Sequence, residues 1–218
     1  ILIEEYMPGC EVAVEGIVVG GELQILAILD KPNPMEGPFF EETILVTPSR
    51  LPESVQREIV SSVQQSVAIL NLDDGPIHAE LRVDGERASL LEIAPRSIGG
   101  RCSTILRFKP EATLEELILC HALGMPIDEY SRTLGASGVM MLPIPEAGIL
   151  REVDGWKAAL EVPAIEGLEI TIPVGQKVVP LPEGNHYLGF LFARAPTSEQ
   201  VEAALRVAYA RLDVKVEH

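Results

Sequence analysis

Basic residues are scarce in this chain of 218 residues: 17 Lys and Arg stand against 33 Asp and Glu, a formal net charge of −16. No cluster of basic residues stands out, and a nucleic-acid partner, which needs clustered cations for phosphate, is excluded on that ground. Cysteine is nearly absent. Cys10, Cys102 and Cys120 are odd in number and scattered, without a CxxC or His/Cys spacing, so they read as reduced thiols of a cytoplasmic protein. No apolar run reaches about 18 residues, so no transmembrane helix and no membrane partner are expected. Internal repeats are missing too, as is any Ser/His/Asp arrangement of usable spacing. An acidic protein that handles anions must then use metal ions or a few well-placed cations.

What is present is a patterned α+β chain, long enough for one large or two small domains. Extended segments are read at Ile1–Glu5, Glu11–Val19, Leu23–Leu29 and Phe39–Pro48. Val55, Ile59, Val63, Val67 and Leu70 fall at helical spacing within 52–70, and Thr113 with Glu116 forms a capping box ahead of a helix over 114–123. From about residue 135 the texture is β-rich. Strands are expected at 139–144, 149–153, 158–162, 168–172 and 187–195, then one amphipathic helix near 199–212 and a last edge strand over 213–216. Trp156 is expected to anchor the core of that unit. The domain boundaries follow: 1–108, a connecting helical segment over 109–135, and a lobe over 136–218.

Chemistry concentrates in one hairpin. Ile77–Val83 and Ala88–Arg96 flank a tip, and Glu80 and Glu92 are its paired acids. Side chains alternate along a strand, so the tip length decides whether the two carboxylates share a face. A three-residue tip, Asp84-Gly85-Glu86, sets Glu80 opposite Leu90 and diagonal to Glu92, with His78 and Arg96 on the same side. The apolar back is then Ile77, Ala79, Leu81, Val83, Leu91 and Ile93. Two readings remain open: a solvated acidic face, or a clamp for a divalent cation and an anion. Arg96 and the pair Gly99-Gly100 beside the acids favour the second. His78 is either an outer-shell group or a locally bonded strand residue. Lys31, beside a proline loop, reads as a surface charge first and as a cation within reach of a phosphate or substrate carboxylate second.

In this order and spacing, Ile3-Glu4-Glu5-Tyr6-Met7-Pro8-Gly9, Glu11, His78-Ala79-Glu80 and Glu92-Ile93-Ala94-Pro95-Arg96 with Gly99-Gly100 resemble the second half of an ATP-grasp domain. The resemblance is to the biotin carboxylase and carbamoyl phosphate synthetase branch, and within it to L-amino acid ligase-like proteins. It covers about residues 1–108, and residues 136–218 look like the β-rich C-terminal lobe, with one helix, that such ligases carry.

The resemblance implies an ATP-dependent carboxylate–amine ligase working through an acyl phosphate, with ATP and Mg²⁺ (or Mn²⁺) as cofactors and small carboxylates and amines as substrates. Glu4, Glu5, Tyr6 and Met7 would line the adenine hinge and Glu11 would meet the ribose. Glu80 and Glu92 would bridge Mg²⁺, Arg96 would hold the acyl phosphate, and Gly99 and Gly100 would let backbone approach it.

The chain departs from the family at two points. Ala94 replaces an asparagine that relatives use as a further metal ligand, and Leu45 stands where dipeptide-forming ligases place a histidine after the acid-rich strand that includes Glu41 and Glu42. The chain is expected to be the C-terminal part of a longer enzyme, inactive without the N-terminal half of its own chain. A noncatalytic nucleotide-binding or assembly module is the alternative. Sheet extension by 136–218, giving a homodimer, is a third reading.

Overall fold

The computed structural model describes residues 3–34, 43–109, 111–127 and 130–218, so the expectations placed on Ile1, Leu2, Glu41 and Glu42 lie outside the described residues. The chain forms two compact units, one of residues 1–32 and 47–134, the other of 33–46 and 135–218.

In the first unit, β1 (Cys10–Val19) and β2 (Glu22–Lys31) form a hairpin; β3 (Ile44–Thr47), next along the chain, falls in the second unit except for Thr47. Helix α1 (Glu53–Ile69) precedes β4 (Asp74–Asp84) and β5 (Arg87–Ala94). The unit's sheet runs β2-β1-β4-β5, and its three pairings are antiparallel. One face is apolar because every second residue is: Val12 and Val14 of β1 and Ile77, Ala79, Leu81 and Val83 of β4 are buried. Val55, Ile59, Val63 and Val67 form a single stripe of α1 and fill the same core. Methyl-rich, β-branched surfaces thus close one side of the sheet and leave the other for polar groups.

The extended reading of residues 3–5 is not upheld; residues 3–8 carry no strand. They end at Gly9, whose φ is +103°, and a Cβ there would lie 2.1 Å from the Val83 carbonyl oxygen. Only glycine fits that approach.

A three-stranded sheet in the order β7-β6-β8 uses β6 (Arg107–Lys109), β7 (Ala112–Thr113) and β8 (Ser131–Arg132). Helix α2 (Leu114–Ala122) starts with the expected capping box: Thr113 Oγ1 accepts from Glu116 N–H, and Glu116 Oε2 accepts from Thr113 N–H.

The second unit contains β9 (Ala136–Leu142), β10 (Gly148–Asp154), helix α3 (Trp156–Leu160) and β11 (Ile165–Ile170). β12 (Lys177–Val178), β13 (Gly189–Ala195), α4 (Ser198–Tyr209) and β14 (Asp213–Glu217) complete it. Its strands are ordered β11-β13-β9-β3 and β12-β10-β14.

Val201, Leu205 and Ala208 of α4 share a core with Ala136, Met140, Leu142, Leu191 and Ala193. The segment expected as a strand over 158–162 is instead the short α3, started by Gly155 at φ +78°. Among its described residues this unit therefore holds two helices. Trp156 opens α3 and is 47% exposed, with Lys157 Nζ 5.4 Å from its ring centroid, so it does not anchor the core. The architecture is α+β, dominated by antiparallel sheets. Among the described residues, no helix is long and apolar enough to cross a membrane.

Candidate functional site

The hairpin β4–β5 turns on two residues, Gly85 and Glu86, between the paired Asp84 and Arg87. Gly85, at φ +60°, suits the first central position of a primed hairpin turn. The three-residue tip read from sequence is therefore incorrect. A regular ladder from this turn would set Glu80 opposite Leu91 and Ala79 opposite Glu92, sending the two acids to opposite faces. A bulge prevents this: Leu81 pairs with Leu90, and the next pair is Glu80 with Glu92. Leu91 is the extra residue, exposed rather than on the apolar back. Glu80 and Glu92 are direct cross-strand partners, not diagonal ones.

Glu92 and Arg96 lie at the exposed edge strand. Arg96 Nη2 is 3.9 Å from Glu92 Oε1, and their side chains are 56% and 60% exposed. Arg96 also donates through Nη1 to the Ser97 carbonyl. Gly99 and Gly100 follow in the exposed loop; Gly100 has φ +63°, and a Cβ on Gly99 would meet open space.

Glu80 faces inward to a set of buried charges. Glu11, Ala13 and Glu15 of β1 lie opposite Arg82, Glu80 and His78 of β4, and Glu11 also lies opposite Lys31 of β2. Lys31 Nζ donates to Glu11 Oε1 (2.5 Å) and, across the small Ala13, to Glu80 Oε1 (2.9 Å). Lys31 is buried, so its reading as a surface charge is overturned. Arg82 Nε is 3.2 Å from Glu11 Oε2, and Arg82 Nη1 donates to the Gly9 carbonyl (2.9 Å). Both Glu11 oxygens thus meet cations.

Glu15 Oε1 pairs with His78 Nδ1, Glu15 Oε2 accepts from Ile98 N–H (3.0 Å), and His78 Nε2 lies 3.4 Å from Glu80 Oε1. Burial alone would lower His78, but its bonds to Glu15 and Glu80 outweigh that and raise it to about 9. Burial pushes the Glu15 carboxyl up even against the His78 bond. The pair therefore holds a proton, which belongs on His78 because that ring faces two carboxylates. The His78 bond, aided by Lys31 and against the effect of burial, holds Glu80 well below the usual carboxylate range.

Glu4, Glu5, Tyr6 and Met7 line a cavity of about 570 Å³ with Pro8, Arg82, Asp84, Arg87 and Ser89. Tyr6 is 61% exposed. The expected adenine segment and the hairpin tip therefore share one recess, and Arg82 connects it to the buried charges.

A divalent cation can be tested against this donor set. Both bonds to Glu80 end on Oε1, and Oε2 takes part in neither; the cross-strand partner of Glu80 is the exposed Glu92. Among the described residues, no group of three or more His, Cys, Asp or Glu could hold a metal by itself. Two hard carboxylates completed by phosphate oxygens and water are what Mg²⁺ takes, so the residues fit.

Sequence reading missed Glu15, Lys31 and Arg82. A signal existed: charges at alternate positions in Glu11–Glu15 and His78–Arg82, set between apolar residues, mark a buried polar face rather than a solvated one.

Residues 1–105 match an ATP-grasp domain, and residues 140–217 match the L-amino acid ligase C-terminal domain 2. The chain is 31% identical over 166 residues to carnosine synthase 1 of Gallus gallus, covering 74% of this chain and 17% of that one. It is 37% identical over 89 residues to the alanine–anticapsin ligase of Bacillus amyloliquefaciens, covering 40% of this chain and 18% of that one. The crystal structure of an L-amino acid ligase from Bacillus licheniformis superposes with a TM-score of 0.81 at 25% identity, over 98% of this chain and 53% of that one. The chain thus spans less than a fifth of these curated relatives and about half of the solved structure. Residues 1–105 thus match the ATP-grasp domain and residues 140–217 the L-amino acid ligase C-terminal domain 2, an arrangement similar to that of L-amino acid ligase-like ATP-grasp proteins.

Proposed function

We propose that this chain supplies the metal-binding and acyl-phosphate-holding part of an ATP-dependent carboxylate–amine ligase, and acts together with a further N-terminal part that it does not contain. The observation that carries this reading is the cross-strand pair Glu80 and Glu92 with Arg96 beside it. Glu80 and Glu92 would hold Mg²⁺, which when bound neutralises phosphate charge. Glu4, Glu5, Tyr6 and Met7 would receive the adenine in the recess they line. Glu11 would meet the ribose only at its edge, since Lys31 and Arg82 engage both its oxygens.

The reaction has two steps. A substrate carboxylate oxygen attacks the γ-phosphorus, the bond to the β,γ-bridging oxygen breaks, and ADP leaves. An amine then attacks the acyl carbon, inorganic phosphate departs, and the nitrogen loses a proton. Arg96, reaching from the exposed strand end, would hold the anionic phosphoryl oxygens through both steps, with backbone at Gly99 and Gly100 approaching them. The protein's contribution is positioning and electrostatics, as in phosphoryl transfer generally.

ADP release by the full-length enzyme across a panel of carboxylates and amines tests the proposal. Glu80→Gln and Arg96→Ala should each lower turnover by about 10²–10³-fold, and the chain of 218 residues alone should release no ADP. Normal ligation by either variant would reject the assignment. Ala94 offers no oxygen donor and favours a second reading, a noncatalytic nucleotide-binding module. ATP binding without ADP release on any substrate would select it.

A further inference from the structure

Glu15 lies beyond every group proposed to touch nucleotide or metal, yet it is almost fully buried and both of its oxygens are engaged. Its two bonds run to different parts of the site. Oε1 pairs with His78 Nδ1, and the other ring nitrogen of His78 faces Glu80 Oε1 at 3.4 Å. Oε2 accepts at 3.0 Å from the N–H of Ile98, which lies between Arg96 and the glycines 99 and 100. A single carboxylate thus links the β4 acid to the loop that follows β5.

Hairpin geometry makes such a link useful. The Glu80–Glu92 pairing stands next to a bulge, where the ladder is interrupted. β5 is an edge strand, and both Glu92 and Arg96 are more than half exposed. Little in β5 itself fixes where Arg96 stands relative to Glu80. The Ile98–Glu15 bond attaches the loop to β1, the strand paired with β4 along its full length. The His78 ring, held by Glu15, joins Lys31 on Glu80 Oε1 and so fixes which oxygen of that carboxylate is left over.

We propose that Glu15 is a positioning residue with two arms: through His78 it presents Glu80 Oε2 to a divalent cation, and through the Ile98 N–H it sets the Arg96–Gly100 loop at the distance the acyl phosphate requires. This rests on the ligase reading above. Outer-shell partners of ligating groups typically account for 10–100-fold in metal affinity, and a carboxylate already bonded on one oxygen loses less freedom on binding through the other.

The two arms have separate signatures. Mn²⁺ binding, measured by paramagnetic resonance in the presence of ATP, reads the first arm. Turnover at saturating Mg²⁺ reads the second, and melting temperature monitors the fold. Glu15→Ala should weaken Mn²⁺ by 10–100-fold and lower turnover. Glu15→Gln keeps the shape and one acceptor oxygen; with that oxygen turned to His78, Mn²⁺ should bind within about threefold of the parent, while the amide NH2 facing the Ile98 N–H should lower turnover. Ile98→Pro removes the N–H, together with the isoleucine side chain and some backbone freedom, and leaves Glu15 and His78 in place; it should lower turnover about tenfold, a loss of the size expected from displaced positioning, with Mn²⁺ affinity unchanged.

Normal Mn²⁺ affinity in Glu15→Ala overturns the proposal. So does an equal loss of that affinity in Glu15→Ala and Glu15→Gln that tracks their melting temperatures. If Glu15→Ala does not fold, Ile98→Pro and His78→Gln decide it: unchanged turnover in the first and unchanged Mn²⁺ affinity in the second overturn it. Glu80→Gln separates this from the underlying reading, because normal Mn²⁺ binding there removes the metal site itself.

Discussion

Glu80 faces Glu92 across the β4–β5 ladder because Leu91, between Leu90 and Glu92, has no partner on β4. Side-chain direction in a strand has period two, so one unpaired residue is enough to reverse the face of everything that follows. Leu91 is exposed and contributes little packing, so what matters is that it stands unpaired, not which side chain it carries.

Deletion of Leu91 should therefore remove the bulge and keep the pair: Leu90 stays opposite Leu81, and Glu92, now next in the chain, stays opposite Glu80. We expect the deletion and Leu91→Ala both to retain most turnover. Steady-state ADP release checks this; a fall of the roughly 10²-fold size that follows loss of one electrostatic stabiliser in the deletion alone would mean that the local bend of the bulge, not the face of Glu92, is what the site needs.

Ala13 lies beneath the path from Lys31 on β2 to Glu80 on β4 and is fully buried. Ala13→Leu should obstruct that path and overpack the face, at a cost of about 1–3 kcal/mol. Urea denaturation measures this cost, and an unchanged midpoint would show that Lys31 has another route.

The pH dependence of stability follows from His78. Its folded value of about 9 lies above the ordinary 6.5, so its contribution is complete below 6.5 and is lost as pH rises through 9. The depressed Glu80 carboxyl contributes throughout that window and is lost only in strong acid. In metal-free buffer, unfolding free energy should fall between pH 6.5 and 9, by up to about 3 kcal/mol at 1.36 kcal/mol per pKa unit. His78→Gln should flatten the profile, and a parallel slope in that variant would assign the effect elsewhere.

Thr113 caps α2 through a reciprocal pair with Glu116. Thr113→Ala should cost about 1 kcal/mol, read as a lower melting temperature with ATP binding unaffected. A loss of ATP binding would mean that α2 has a part in the site.

The capping box, the α1 stripe and the apolar back of β4 were legible because each rests on local periodicity. The β5 register was not. Bulge and turn together set the face of Glu92, and a two-residue turn with a bulge gives the same face as a three-residue tip without one. Convergence of the acids could therefore be anticipated from the alternation of β4 while the means was misread. Lys31 was misread for a different reason: it looks like an exposed charge until its cross-strand partners are known, and those lie 20 and 49 residues away in sequence. Trp156 and α3 were misread because a short apolar run bounded by glycine fits either a strand or a helical turn.

The named charges of the polar face almost cancel. Glu11, Glu15 and Glu80 stand against Lys31, Arg82 and a protonated His78, although the chain as a whole carries −16. On the proposed ligase reading an incoming polyphosphate would meet a locally neutral floor. The nearby acids Glu4, Glu5 and Asp84 share their recess with Arg82 and Arg87, and exposed carboxylates more than about 8 Å away are muted by physiological salt. The acidity that dominates the isoelectric point need not repel the nucleotide, and recolouring the outer surface with other charges should alter solubility long before it alters catalysis.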